Sequence, residues 1–144
     1  MPKPYASAII DAPVDKVWQS VRAFGGIAEW HPALDSCRLQ EGDDLTVGAV
    51  RRLTAGDAVF VERLTSIDDT ARVQTYEFIE SPFPVRRYHA TIRVAPITAS
   101  GQTFAEWWAD YEADEAETAR LTPFFRDAVF AAGLAELAAY TNKA

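Results

Sequence analysis

The sequence predicts an α+β domain: one strand and a helix pair, then an antiparallel meander of six strands, then a long C-terminal helix. Three observations carry that expectation. Between residues 34 and 113, six segments alternate apolar and polar residues or are rich in β-branched and aromatic ones, and short turn-forming runs part them. Before them, Val14, Val17, Trp18 and Val21 repeat at i, i+3, i+4 and i+7, the stripe of an amphipathic helix. After them, Glu117 to about Tyr140 returns to helical spacing with a broad apolar arc.

Tyr5 to Asp11 alternates as a short strand. Ala12-Pro13-Val14-Asp15-Lys16 then opens a helix, with proline at the first helical position, where its missing N–H is no loss, and an acid in the first turn. Gly25-Gly26 is expected to stop this helix, and Ile27-Ala28-Glu29-Trp30-His31 leaves room for one or two more turns before Pro32. Strands are placed near 34–41, 48–54, 58–67, 72–80, 86–96 and 103–113, with turns at Gly42-Asp43-Asp44, Gly56-Asp57, Asp68-Asp69-Thr70, Ser81-Pro82-Phe83-Pro84 and Ala99-Ser100-Gly101. In the last helix Leu121, Phe124, Phe125, Ala128, Val129, Ala132, Leu134, Ala135, Leu137 and Ala138 form the arc. Pro123 lies close enough to its start that the helix is expected to begin again there, capped by Thr122. Only a curved sheet buries so broad a face.

The Gly56-Asp57 dipeptide suits a two-residue type II′ turn, and that turn fixes the register of the flanking strands. Arg51 then falls opposite Glu62. Ala49, Arg51 and Leu53 share one face with Phe60, Glu62 and Leu64, while the other face carries Arg52 and Arg63 with no acid. Water tolerates those unpaired charges best, so the first face, with one compensated pair, is assigned to the interior. The same parity argument points Tyr76, Phe78, Tyr88, Trp107 and Tyr111 inward. On the last strand Thr103, Ala105, Trp107 and Ala109 are uncharged, whereas the alternate set holds Glu106, Asp110 and Glu112. Small residues, namely Ala105, Ala109, Ala128, Ala132 and Gly133, leave room beside Trp107 for a cavity.

A chain of 144 residues fits a single domain spanning 1–144. With 14 basic and 21 acidic residues its net charge is -7, which argues against nucleic-acid binding. No apolar run reaches membrane-spanning length, and the Met1-Pro2-Lys3-Pro4-Tyr5 start has no signal-type apolar region, so a cytoplasmic location is expected. Cys37, the single cysteine, excludes an internal disulfide and reads as packing rather than as a nucleophile. The acidic run Glu106, Asp110, Glu112, Asp114, Glu115 and Glu117 reads as a solvated edge. No metal motif, phosphate loop, dinucleotide fingerprint or nucleophile triad is present, so neither metal nor cofactor is expected.

Several local marks taken together resemble the helix-grip superfamily of START domains and pollen allergens, in its polyketide cyclase/dehydratase and lipid transport branch. They are Ile10-Asp11-Ala12-Pro13-Val14-Asp15-Lys16-Val17-Trp18, Glu29-Trp30-His31-Pro32, Gly48-Ala49-Val50-Arg51-Arg52-Leu53, Val61-Glu62-Arg63-Leu64, Tyr76, the Pro84 segment and Thr103-Phe104-Ala105-Glu106-Trp107. The resemblance covers nearly the whole chain. It implies a seven-stranded antiparallel sheet wrapped around the long helix, two short helices after the first strand, and an internal cavity for a small apolar or amphipathic ligand. Residues expected to line that cavity are Trp30, Arg51, Leu53, Phe60, Glu62, Tyr76, Phe78, Tyr88, Trp107, Phe125 and Val129.

Arg51, paired with Glu62, is expected to keep spare guanidinium donors for a ligand carbonyl or carboxylate; a self-contained ion pair that sets register is the alternative. His31 either lines the cavity mouth or caps the short helix through a backbone carbonyl, the latter being favoured. His89 has outward parity. Ligand binding is the first functional reading. A polyketide cyclase or dehydratase using Arg51, Glu62, Tyr76 and His31 in acid/base roles is the second. A partner-binding module, suggested by outward Phe104 and Trp108, is the third; the protein is expected to be a monomer or homodimer.

Overall fold

The computed structural model describes residues 3–142, so Met1 and Pro2 of the opening segment lie outside the described residues. The strands are β1 (Tyr5–Ile10), β2 (Ser36–Glu41), β3 (Val50–Ala55), β4 (Ala58–Asp68), β5 (Val73–Glu80), β6 (Arg87–Ile97) and β7 (Gln102–Glu112). They form one antiparallel sheet in the order β1-β7-β6-β5-β4-β3-β2. Consecutive strands pair as a meander from β2 to β7, and β1 closes onto β7 with Tyr5 opposite Trp108 and Ile10 opposite Thr103. The layer against the sheet's inner face comprises α1 (Val14–Arg22), a 3-10 segment (Phe24–Glu29) and one long C-terminal helix.

The hairpin follows its turn chemistry. Gly56 has φ +61°, while Asp57 is outside the left-handed region, the combination that separates type II′ from type I′. Arg51 therefore faces Glu62, and Leu53 faces Phe60. Two bulges bend the neighbouring strands. The β4–β5 register slips between Val61 and Glu62, leaving Ile79 unpaired, and again between Leu64 and Ser66, leaving Thr65 unpaired. The second slip shifts parity, so that Leu64 and then Ile67, three residues on, pack against the core.

Three expectations about helix ends are corrected. Pro13 is the residue before α1, with extended ψ 146°, rather than its first helical residue. The helix stops at Arg22, ahead of Gly25-Gly26, and the glycine pair lies inside the 3-10 segment, where a Cβ on Gly26 would meet Glu29 Oε2 at 2.8 Å. The C-terminal helix does not restart at Pro123. It runs unbroken through α2 (Glu115–Phe124), a π-helical segment (Phe125–Ala131) and α3 (Ala132–Thr141), and Thr122, no cap, hydrogen-bonds the Tyr111 hydroxyl.

The π-helical segment changes which residues face the core. Leu121, Phe125, Phe130, Leu134, Leu137 and Thr141 are buried, with one five-residue step, from Phe125 to Phe130, inside that segment. Phe124, Ala128 and Ala135, placed by a uniform 3.6-residue period on the apolar arc, are exposed, and Phe130 takes the core position. Gly133 does not leave space. Helix and sheet approach closely here, and a Cβ there would come within 2.7 Å of Trp107 Cζ3 and 2.8 Å of His31 Cδ2.

Buried side chains answer backbone carbonyls of the helical layer. Gln74 Nε2 donates to Val21 O at 3.0 Å, Arg51 Nη1 to Phe24 O at 2.8 Å, and Thr103 Oγ1 to Ala12 O at 2.8 Å. At the surface, Asp69 in the β4–β5 turn accepts from Trp18 Nε1 at 2.7 Å and from Arg22 Nε and Nη2 at 2.9 Å each, pinning α1 across the sheet edge. No helix among the described residues is long and apolar enough to cross a membrane.

Candidate ligand cavity

Curvature leaves a cavity of about 350 Å³ between the inner face of the sheet and the C-terminal helix. Sheet residues Leu53, Phe60, Glu62, Tyr76, Phe78, Tyr88 and Trp107 form one wall; Phe124, Ala128 and Val129 form the helical side; Ile27 borders it from the 3-10 segment, and His31, Leu34 and Phe83 from loops. The walls are mostly rings. Phe78 and Tyr88 stack at 3.8 Å between centroids and 8° between planes, and Phe83 lies 5.6 Å from Phe60, 5.5 Å from Phe124 and 5.0 Å from Phe125.

Arg51 and Glu62 meet as the register dictates, but the arginine does not reach the cavity. Its Nε donates to Glu62 Oε1 at 2.9 Å, and Nη2 lies 2.7 Å from the same oxygen, off the direction of a formed hydrogen bond. Nη1 is taken by Phe24 O. The guanidinium is clamped between the Phe24 ring at 4.0 Å and the Tyr76 ring at 4.7 Å, and the residue is 1% exposed. Nη2 is left without a hydrogen-bond partner, but Arg51 does not border the cavity, so the expectation that its spare donor is aimed at a ligand is corrected: Arg51 stands behind the wall and holds Glu62, which does border the cavity. Burial raises the Glu62 carboxyl above its ordinary value, with the Arg51 charge pulling the other way.

Trp30 and Phe125 are also corrected as lining residues. Trp30 turns to Trp107, 5.9 Å away, and to His31, 6.0 Å away, behind the cavity floor. Phe125 packs beneath Tyr88 and Tyr111 at 5.2 and 5.3 Å. Phe125 is turned inward by its place on the C-terminal helix, and Trp30 by the turn that follows the 3-10 segment.

Neutral imidazole is required at His31. Nε2 donates to Val129 O at 2.8 Å, since a carbonyl can only accept, and Nδ1 accepts from Ala33 N–H at 3.2 Å, so the proton sits on Nε2. Burial lowers its pKa, the Val129 bond opposes this, and the Arg51 charge adds to the lowering. Both sequence readings of His31 hold a part of the truth: it borders the cavity and it binds a backbone carbonyl, although that carbonyl belongs to the π-helical segment rather than to the short helix. His89 is half-buried on the outer face, within 3.1 Å of Thr65 Oγ1.

Tyr76 and Tyr88 are buried phenols whose pKa values burial raises strongly, with the Glu62 charge adding to the effect, so both carry their protons at neutral pH. Trp107 Nε1 donates to the Tyr76 hydroxyl at 3.1 Å. Cys37 lies opposite Leu53, and burial raises its thiol away from the reactive thiolate. Within the acidic run Glu106, Asp110, Glu112, Asp114 and Glu117 pair with Arg93, Lys3, Arg87, Arg86 and Arg120, and among the described residues no three His, Cys, Asp or Glu side chains gather as metal ligands. On the outer face, half-buried Trp108 stacks on Tyr5 at 6.0 Å and Phe104 sits opposite exposed Ile9.

The sheet, the gripped helix and the cavity between them define a helix-grip protein. The chain belongs to the family described as polyketide cyclase / dehydrase and lipid transport, whose model matches residues 1–141. Among solved structures, a protein of Thermobifida fusca determined in solution is 31% identical with TM-score 0.89, over 98% of this chain and 93% of that one. The protein XoxI of Bacillus cereus is 29% identical with TM-score 0.86, over 98% and 96%. A norcoclaurine synthase of Thalictrum flavum, bound to a transition-state analogue, shares the fold at TM-score 0.78 and 18% identity, over 97% and 93%.

Phe83, Ile27, Leu34 and Phe124 border the cavity without having been expected there, whereas Ala128, expected to leave room for it, does border it. For Phe83 a signal existed: a lone aromatic between prolines in an otherwise polar turn has no strand to serve and must find an apolar neighbour elsewhere.

Proposed function

We propose that this protein binds a small apolar or amphipathic molecule in the cavity between sheet and helix. The observation that carries this reading is the cavity itself, about 350 Å³ of aromatic-walled space with Glu62 at its edge. That size and lining are those of small-molecule sites, apolar walls with a few placed polar groups. The lipid transport part of the family description agrees with it. Binding is favoured over cyclase or dehydratase chemistry because Arg51 does not border the cavity and His31 is held at both nitrogens, by Val129 O and Ala33 N–H.

Ala128→Trp tests the reading, because residue 128 borders the cavity from an exposed helix position. Binding of an environment-sensitive apolar dye is expected to fall at least about tenfold in this variant with thermal stability retained. Dye binding that survives the tryptophan would sink the proposal. Native mass spectrometry of the purified protein identifies any ligand carried through.

A further inference from the structure

Resting on the binding reading, we infer that the cavity selects its ligand through a hydrogen-bond donor: a neutral molecule with an apolar body and a hydroxyl group set against Glu62 Oε2, with carboxylates rejected. Glu62 borders the cavity and Arg51 does not, and both guanidinium approaches fall on Oε1. No side chain or backbone group among the described residues hydrogen-bonds Oε2, so it is the acceptor presented to a ligand. Every cationic or N–H donor near the wall is spent or averted. Arg51 Nη1 serves Phe24 O, His31 Nε2 serves Val129 O, and Trp107 Nε1 serves Tyr76. Arg51 and Trp30, whose Nη2 and Nε1 have no hydrogen-bond partner, border not this cavity but a separate void of about 10 Å³.

What remains beside Glu62 is phenol. The Tyr76 oxygen accepts from Trp107, and, beside the larger effect of burial, its bond with Tyr88 lowers the Tyr76 pKa and raises that of Tyr88, as when Tyr88 donates, which leaves Tyr76 its own proton to give. A ligand hydroxyl accepts that proton's hydrogen bond and donates its own to Oε2, satisfying both groups at once. The Arg51–Glu62 pair is neutral as a whole, so a neutral ligand adds no uncompensated charge. A carboxylate would bring a second negative charge to Oε2 in an apolar enclosure, with no free cation to meet it.

Calorimetric titration of the whole protein with naphthol, its methyl ether and the naphthalene carboxylate of the same attachment point tests the inference. Naphthol is expected to bind about 10- to 100-fold more tightly than the ether, the range for a hydrogen bond to a charged acceptor, and the carboxylate no better than the ether. In Arg51→Met/Glu62→Leu, which removes the pair together and avoids stranding a buried charge, the preference for naphthol over ether should fall towards unity. Equal affinity for naphthol and ether, or tightest binding by the carboxylate, overturns donor selection while leaving ligand binding intact. Absence of binding by all three overturns the binding reading and this inference with it.

Discussion

Gly133 lies so close to Trp107 that a single added methyl group would overlap the indole, 2.7 Å from Cζ3, and would meet His31 Cδ2 at 2.8 Å. The glycine sets the distance between helix and sheet. Neither neighbour has room to retreat: Trp107 is 1% exposed and hydrogen-bonded to Tyr76, and His31 is held at both nitrogens.

Gly133→Ala should therefore destabilise by about 1–3 kcal/mol through overpacking. The sign is diagnostic. At an open helix position the same change stabilises by roughly 0.5–1 kcal/mol through helix propensity. Urea unfolding of the two proteins decides between them, and a more stable alanine variant would refute the close approach.

Arg51→Met removes one half of a buried pair and is expected to cost about 3–5 kcal/mol. Arg51→Met/Glu62→Leu should recover most of that loss, short of about 1 kcal/mol for the donor taken from Phe24 O. A double-mutant cycle on unfolding free energies measures the coupling. Additive effects would show that the two side chains do not depend on each other.

Hydrogen bonds from Arg22 first, then from Trp18, lower the Asp69 carboxyl from 3.8 to about 2. Its folded value lies below its unfolded value, so its contribution is present above the unfolded value and lost as pH falls through about 2. Asp69→Asn should lower stability by a constant amount at pH values well above 3.8, and the gap from the parent protein should close on acidification towards 2. Unfolding curves collected across that range check it. A gap unchanged by acid would remove the α1 clamp from the account.

His31 is buried in its neutral form, and protonation would put a hydrogen on Nδ1, which faces Ala33 N–H. With the folded pKa below the ordinary 6.5, the unfolded chain binds the extra proton first, so stability is full above 6.5 and declines as pH falls from there towards the folded value. Nitrogen chemical shifts should report a neutral ring protonated on Nε2 at pH values just below 6.5, and His31→Phe should remove this part of the pH dependence. An imidazolium signal at that pH would contradict the assignment.

The strands and the Arg51–Glu62 register were legible because local chemistry determines them: glycine at a turn fixes pairing, and pairing fixes parity. What Arg51 does with its remaining donors was not legible. That depends on Phe24 O and two rings, brought from residues far along the chain by packing alone. Phe130 was missed for a different reason. A uniform helical period puts Val129, not Phe130, four residues after Phe125, and no residue type marks a π-helical step. Asp69 looked like one more turn acid because its partners, Trp18 and Arg22, lie on an element whose docking no local pattern specifies.

The five-residue step from Phe125 to Phe130 divides labour between neighbouring positions. Phe130 supplies the ring that packs on Trp107 at 5.1 Å, while Ala128 and Val129, in the stretch the longer step adds, border the cavity. With an ordinary step, one residue would have to anchor the helix and edge the opening together, and enlarging the opening would loosen the anchor. Here bore and fastening are gauged separately, so substitutions at 128 can retune what enters without touching what holds the helix down.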